Sequence, residues 1–425
     1  MLVVIFNTLL AAQTSPLVLG DHTTTYRVDS SLMIFEDSSG DIAIEQILTS
    51  HGTYGFKPAD SFAPNMGFSS SAFWLRLDIQ DSSTRKKEWV VDLAMPSLHN
   101  VDFFITRDED IIYRSKTGFL RDKVLCPTPY RNPALAFTSS MGRNTTVYAR
   151  VKSQTPIILP VTIRERNSYI EYDRMRDFFL GFYFGILLIM AVYHLYLFFS
   201  TNDRSHLWLV LFTLCFGIGQ ITASYGFLRD WGFTGLDSVL NWLHIINYFA
   251  AFYAVMVSRS MVQSWRYTPL CDKFIKMYLV SGASLAILSP LFNFMLAARI
   301  LVLLSIFPLP FLVYAAVIGW RNKLRSAIFY IIAAIFFIIG IATYNIMYGF
   351  GVLPFHEIIF FLPNLTFVIS LALFSFGMAD RIKNLTREKE KARERSVRYL
   401  RERLRMQEAK TAIEHELEHA RKMET

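Results

Sequence analysis

Near its end the sequence reads "AIEHELEHARKMET", residues 412–425, and His415-Glu416-Leu417 has the look of a phosphoacceptor histidine. That chemistry, transfer of a phosphoryl group to an imidazole, needs Arg-Thr-Pro-Leu to follow and a nucleotide-binding domain after it. Here Glu418-His419-Ala420-Arg421 follows and four residues remain. No glycine-rich phosphate loop follows a strand anywhere in the chain, and no Ser-His-Asp or paired-metal arrangement stands in a folded region outside the apolar spans. The expectation is therefore no enzyme in this chain, no cofactor and no metal centre, with the tail a transmitting helix whose effector domain is absent or separate.

Two other sets of residues could do chemistry. In the first half, Trp74, Arg76, Trp89, Tyr130 and Arg131 have the types that bind a small or carbohydrate-like ligand. An aromatic face stacks on the C–H face of a sugar while arginines fix its hydroxyls. The competing role for Trp74 and Trp89 is packing between sheets. In the second half, His194, Asn241, His244, Asn247 and Asn345, together with Arg259, are polar residues inside apolar runs, where an ionisable or amide side chain is costly and calls for a function or a partner. Asn241, His244 and Asn247 share one helix face, which suits interhelical hydrogen bonding better than a proton relay.

The elements that must position these residues follow from patterning. Of the 425 residues, 52% are apolar and 18% charged, against about a quarter charged in soluble domains. The apolar residues are concentrated between Phe178 and Ala379. Before them, residues 22–170 alternate at period two, most clearly in "AFWLRLDIQ" (72–80), "EWVVDLAM" (88–95), "NVDFFITRD" (100–108), "TVYARVKS" (146–153) and "IILPVTIRE" (157–165). Short strands separated by turn clusters predict an all-β sandwich or jelly roll. Seven apolar stretches follow near 178–199, 207–228, 239–262, 274–296, 299–320, 326–349 and 357–379, each long enough to cross about 30 Å of hydrocarbon. Pro290, Pro308, Pro310 and Pro363 are candidate kinks.

Charge gives the orientation. Arg204, Arg266, Lys273, Lys276, Arg321, Lys323 and Arg325 cluster at one set of span ends, with only Arg229 and Arg299 at the other. By the positive-inside rule the β domain is outside and the tail in the cytoplasm, in a multi-pass arrangement in the cytoplasmic membrane. The net charge of +8 is explained by these loops and the tail, so no nucleic-acid partner is implied. The first twelve residues, "MLVVIFNTLLAA", resemble a signal peptide without its basic start, with cleavage near Ala12 or Gln13. Cys126, Cys215 and Cys271 lie too far apart in such a layout for a disulfide or a cysteine metal site. Residues 380–425 contain neither Pro nor Gly and are built from good helix formers. Ile382, Leu385 and Ala392 fit one heptad register and Val397, Leu400 and Leu404 one shifted by a residue, which predicts a parallel coiled-coil homodimer with a discontinuity.

The ordering of these parts, with "AFWLRLDI", "WVVDLAMPSLHNVDFFI", "YRNPALAF", "VYARVKSQTPIILPVTI" and "GFYFGILLIMAVYHLYLFFSTNDRSHLWLVLF", resembles the bacterial seven-transmembrane receptors with diverse intracellular signalling modules (7TMR-DISM), with their second type of extracellular domain (7TMR-DISMED2). His194 stands where that family is expected to have Asn. The resemblance implies a receptor that passes an external signal to a cytoplasmic effector. The tail run "ELEHARKM" resembles the helix that leads into PP2C-type phosphatase domains. The division expected is signal peptide 1–12, β domain 22–170, membrane domain 178–379 and signalling helix 380–425. Two rival classes are a seven-span transporter or membrane chaperone with an exported cargo-binding domain, and an adhesin-like anchor. The first leaves the tail unexplained and the second needs no bundle.

Overall fold

The computed structural model describes residues 15–29, 31–49, 54–121, 130–139, 144–223, 236–292, 294–348 and 357–423. The first twelve residues, Cys126 and Arg229 lie outside them. The β domain runs β1 (Leu17–Leu19), β2 (Thr25–Arg27), β3 (Leu32–Asp37), α1 (Ile44–Thr49), β4 (Lys57–Pro58), β5 (Asn65–Gly67), β6 (Ala72–Asp81), β7 (Glu88–Leu93), β8 (Asn100–Arg107), β9 (Asp110–Thr117), β10 (Ala134–Thr138), β11 (Asn144–Lys152), β12 (Ile157–Ile158) and β13 (Val161–Glu165). The last predicted strand is thus two, divided at Leu159-Pro160, because proline has no N–H to give a ladder. Helix α1 was not foreseen from the strand pattern.

One sheet has the order β4-β3-β6-β11-β8-β9, with β1 parallel to β6, and a second has the order β10-β7-β13-β2. They face each other across a common core. Phe73, Leu75, Leu77 and Ile79 of β6 enter it as the alternation predicts, and meet Trp89, Val91 and Leu93 of β7, Leu135 of β10 and Ile163 of β13. Period two sends the intervening residues to the outer faces. On the larger sheet that outer face is closed by α1, whose Ile44 and Ile47 cover Trp74 and Tyr148. On the smaller sheet it is closed by the next helix.

That helix is α2 (Arg166–Thr201), which begins at the residue after β13. At 36 residues and 1.5 Å per residue it is about 54 Å long, enough to lie against the sheet and still cross a bilayer. It is followed by α3 (Arg204–Ala223), α4 (Leu236–Val262), α5 (Ser264–Tyr267), α6 (Pro269–Leu288), α7 (Phe294–Ile306), α8 (Leu309–Arg321), α9 (Arg325–Tyr348) and α10 (Glu357–Met423). Among the described residues five helices are long and apolar enough to cross a membrane: α2, α3, and the parts of α4, α9 and α10 at Ile245–Val262, Arg325–Tyr344 and Ile358–Asn384. The expected fourth and fifth spans come out differently. Helix α6 ends in a 3-10 turn at Ser289–Leu291 that contains Pro290, and the fifth is divided into α7 and α8 at Phe307-Pro308, where Pro308 and Pro310 withdraw backbone donors. Pro363, by contrast, sits inside α10.

The bundle and the β domain touch. Leu180 of α2, Met347 of α9 and Phe360 of α10 belong to the same apolar cluster as the sandwich core, and Asn65 Nδ2 donates to Met347 O at 2.7 Å. Helices α9 and α10 approach closely where a Cβ on Gly340 would lie 3.1 Å from Pro363 Cα, and Ser370 Oγ donates to Ala333 O at 2.9 Å. Close backbone approach at small residues is how helices pack where no hydrophobic difference separates protein from lipid.

Candidate functional site

Two clusters of buried polar residues lie at opposite ends of α2. The first is its joint with the β domain. Strand β7 points Val90 and Asp92 outward, and β13 points Thr162 and Arg164 the same way, with Thr162 opposite Asp92 in register. Asp92 is fully buried; its Oδ2 accepts from Arg164 Nη1 at 3.2 Å and from Asn132 Nδ2 at 3.4 Å. Asn132 Oδ1 in turn accepts from Arg176 Nη1 at 3.1 Å, which carries the network onto α2, where Arg176 also pairs with Asp173. Arg131 grips the helix by a fork to Asp177, at 2.5 and 3.3 Å, the geometry that makes guanidinium–carboxylate pairs strong. The Tyr130 ring meets Tyr169 edge-on at 4.8 Å between centroids. Three successive residues, Tyr130-Arg131-Asn132, therefore hold α2 at two levels about two turns apart, Tyr169 and the pair Arg176-Asp177. Complete burial pushes the Asp92 carboxyl up to about 6, against the pull of Arg164, Arg176 and Asn132.

The second cluster lies at the far end. Helix α2 stops at Asn202, whose left-handed backbone (φ 55°) lets its N–H reach Phe198 O; asparagine tolerates that conformation better than other side chains. Asp203 then caps α3, its Oδ1 accepting from Ser205 N at 2.9 Å and Ser205 Oγ at 2.8 Å. Into this turn reaches Arg381 of α10. It donates to Ser205 Oγ at 2.9 Å, to Ser260 O at 3.1 Å and to Ser260 Oγ, and stands 3.7 Å from Asp203 Oδ2. Burial raises the Asp203 carboxyl, but the Ser205 N–H, Arg381 and the Ser205 hydroxyl outweigh it and hold the group below the usual carboxylate range. One turn deeper, His194 of α2 bridges α3 and α10: its Nδ1 lies 2.9 Å from His206 Nδ1 and its Nε2 2.7 Å from Ser375 Oγ. Ser375 Oγ already donates to Leu371 O at 2.9 Å. A hydroxyl has one proton, so His194 Nε2–H donates to Ser375, and His206 Nδ1–H donates to His194 Nδ1. This network ties α2, α3 and α10 at one level.

The other sequence candidates fall elsewhere. Trp74 and Trp89 are both 0% exposed, one under α1 and the other in the sandwich core, so neither offers a ring face to a ligand. Arg76 pairs with Asp78 on its own strand at 3.1 Å. Arg131 is engaged by Asp177, while Tyr130 still borders a surface cleft. Asn247 packs against the backbone of Gly219 at the crossing of α3 and α4. The side chains of Asn241, His244 and Asn345 lie outside the described residues, as do those of His415 and His419. Arg259 forks to Asp272 at 2.6 and 3.1 Å. Residues the pattern did not single out are Asp92, Asp203, His206 and Arg381. A charged Asp in the strand "EWVVDLAM" and the run Asn202-Asp203-Arg204-Ser205-His206 were the available signals. Among the described residues no group of three or more His, Cys, Asp or Glu side chains could hold a metal ion.

Two measurements follow from this geometry. Because the folded carboxyl of Asp92 is raised to about 6 from an ordinary value near 3.9, the folded state keeps a proton that the unfolded chain gives up. Its contribution is present below about pH 4 and is lost as pH rises through about 6, by up to about 3 kcal/mol. The Asp92→Asn variant should lack that slope, so the difference in β-domain unfolding midpoint between variant and wild type should change between pH 4 and 7; a constant difference would contradict the assignment. At the other end, Arg381→Ala should lower the midpoint of detergent-induced bundle unfolding by the equivalent of about 3 kcal/mol. Arg381→Lys should recover only part, since an ammonium lacks the fork. An unchanged midpoint for the alanine variant would show that the cluster holds nothing.

Comparison with known proteins agrees with this division into a β domain and a bundle. The family model described as 7TM diverse intracellular signalling matches residues 176–381, and the one described as 7TMR-DISM extracellular 2 matches residues 29–165. A comparison with curated proteins gave no match. The first match ends at Arg381 itself. The chain belongs to the 7TMR-DISM receptors, transmembrane proteins that join an extracellular domain to intracellular signalling, and carries the second type of that family's extracellular domain.

Proposed function

We propose that this protein is a sensory receptor of the cytoplasmic membrane in which the β domain binds a small ligand outside the cell and α2 conveys the consequence to α10. The observation that carries this reading is continuity. A single helix starts in the β domain and ends where α10 is held, at His194–Ser375 and the Asp203–Arg381 turn, and α10 runs without a break from the bundle into the tail. A ligand acts by its differential affinity for two arrangements of these helices. The division we adopt is 22–170 outside, 178–379 in the membrane and 380–425 in the cytoplasm, with an effector that is separate or follows the tail. The tail's Val397, Leu400 and Leu404 are 39%, 58% and 58% exposed on the single chain, which supports pairing with a second copy through that face.

The transporter reading draws on a cavity of about 290 Å³ inside the bundle, among Asn247, Ser258, Tyr278 and Tyr330. Its remaining lining is mainly alanine, leucine and phenylalanine, which suits packing better than passage of a polar solute. Uptake of solute by proteoliposomes would favour transport.

The receptor reading is tested in a fusion of residues 1–425 to a reporter effector. Two residues inserted after Asn384 rotate everything beyond by about 200° and should abolish or invert output. Seven inserted residues, close to two whole turns, should preserve it. Unchanged output with two residues inserted would overturn transmission through α10.

A further inference from the structure

The β domain carries a cleft that neither the core nor the joint explains. It opens between the edges of the two sheets, where among the described strands β9 ends the larger and β10 the smaller. Its volume is about 370 Å³, within the range of small-molecule sites. The apolar part of the lining includes Tyr113 of β9, Phe137 of β10 and Tyr130, and the polar part is Glu88, Arg107, Thr138 and Arg166.

The charges are arranged unequally. Arg107 is half-buried and, among the described residues, gives one hydrogen bond, from Nη2 to Thr138 O at 3.3 Å. Its Nε is buried with no acceptor, and no carboxylate lies within ion-pair distance of it among the described residues. A buried guanidinium N–H without a partner costs free energy comparable to a lost hydrogen bond, more because it is charged. Arg166 is the first residue of α2 and is held by Glu88 at 2.5 Å, both about half exposed. The cleft thus presents two guanidiniums and one carboxylate, a net positive charge beside aromatic rings. At its mouth Ile112 and Tyr113 are 47% and 39% exposed, apolar surface that a bound ring would cover.

We infer that this cleft is the sensory site, and that it takes a small ring-bearing carboxylate. The carboxylate satisfies Arg107 and competes with Glu88 for Arg166, while the ring lies against Tyr113, Tyr130 and Phe137. A neutral hydroxylated ring can accept from Arg107 but leaves its charge uncompensated, and a large polymer exceeds the volume. Because Arg166 opens α2 and Tyr130 touches Tyr169, an occupant of the cleft changes the contacts of the transmitting helix directly. The inference rests on the receptor reading for its meaning, but its test does not use output, so absence of binding overturns the cleft and leaves the insertion test of transmission standing.

The test uses full-length protein in lipid nanodiscs and saturation-transfer NMR with three probes: benzoate, its neutral isostere benzamide, and glucose. Benzoate should bind saturably, with benzamide at least tenfold weaker and glucose weaker still. Arg107→Gln should weaken benzoate at least tenfold. Arg166→Gln, at an exposed position where folding is not at stake, should weaken it several-fold. Glu88→Gln, which frees Arg166, should tighten it several-fold, a gain that damage to the fold would not produce. No saturable benzoate binding, equal binding of benzamide or glucose, or indifference to the Arg107 and Arg166 variants would each overturn the proposal.

Discussion

A guanidinium cannot shed its charge, and Arg381 is 14% exposed at the end of a membrane bundle. The cost of withdrawing that charge from water is met only if acceptors surround it. This requirement explains the local architecture. Asp203 supplies the opposite charge and Ser205 and Ser260 supply acceptors for Nη1, while Nε has none among the described residues, and for these groups to converge α2 must turn sharply into α3 and α4 must end beside them. Asn202 in the left-handed region makes the first turn, and Gln263, at φ 48°, stands between α4 and α5. Arg381 is the second residue of the tail that begins at Asp380, so the position of α10 is set by the two helices that hold Arg381 as much as by its own packing on α9.

At the opposite end the same logic recurs with different residues. A sheet with one face on a core needs its other face covered, and α2 does this for β7 and β13. The cover is polar in part, built from Asp92, Asn132, Arg164 and Arg176, and such contacts are directional where apolar ones are not. The membrane helix is therefore fixed in rotation as well as in depth by the β domain. In the receptor reading proposed above, a helix with a specific joint at each end would carry a change at one as a bias at the other, as population shift requires. Helix α10, with its apolar part at Ile358–Asn384 and its exposed continuation, completes the line.

Much of this was legible in the sequence. Period-two alternation assigned β6, β7, β8 and β11, and it assigned Phe73, Leu75, Leu77 and Ile79 to the core; apolar length marked the membrane helices, and helix propensity the tail. What escaped was tertiary. Period two puts Trp74 on the face opposite Phe73 and Leu75, and what covers it there, the six-residue α1, does not show in the strand pattern. Arg131 was considered for ligand contact, and nothing in a sequence shows that Asp177 lies opposite it. Arg381 was masked by the basic residues that follow it, and His206 by the hydrophilic turn before it. Prolines 308 and 310 predicted a kink where the chain breaks one expected span into two helices.

The direct test of coupling is a distance measured at one end while the other is disturbed. Spin labels at positions 204 and 398, in full-length protein with its three cysteines replaced by serine and held in nanodiscs, report where the tail lies relative to the end of α3. Asp177→Asn releases the grip of Arg131 on α2 without touching the bundle's other end. The account predicts that this change shifts or broadens the pulsed electron paramagnetic resonance distance distribution by about 1–2 Å or more, the scale of helix movements in known switches, in the sense that Arg381→Ala also produces. A distribution identical to wild type for Asp177→Asn, with the same labels responding to Arg381→Ala, would contradict it.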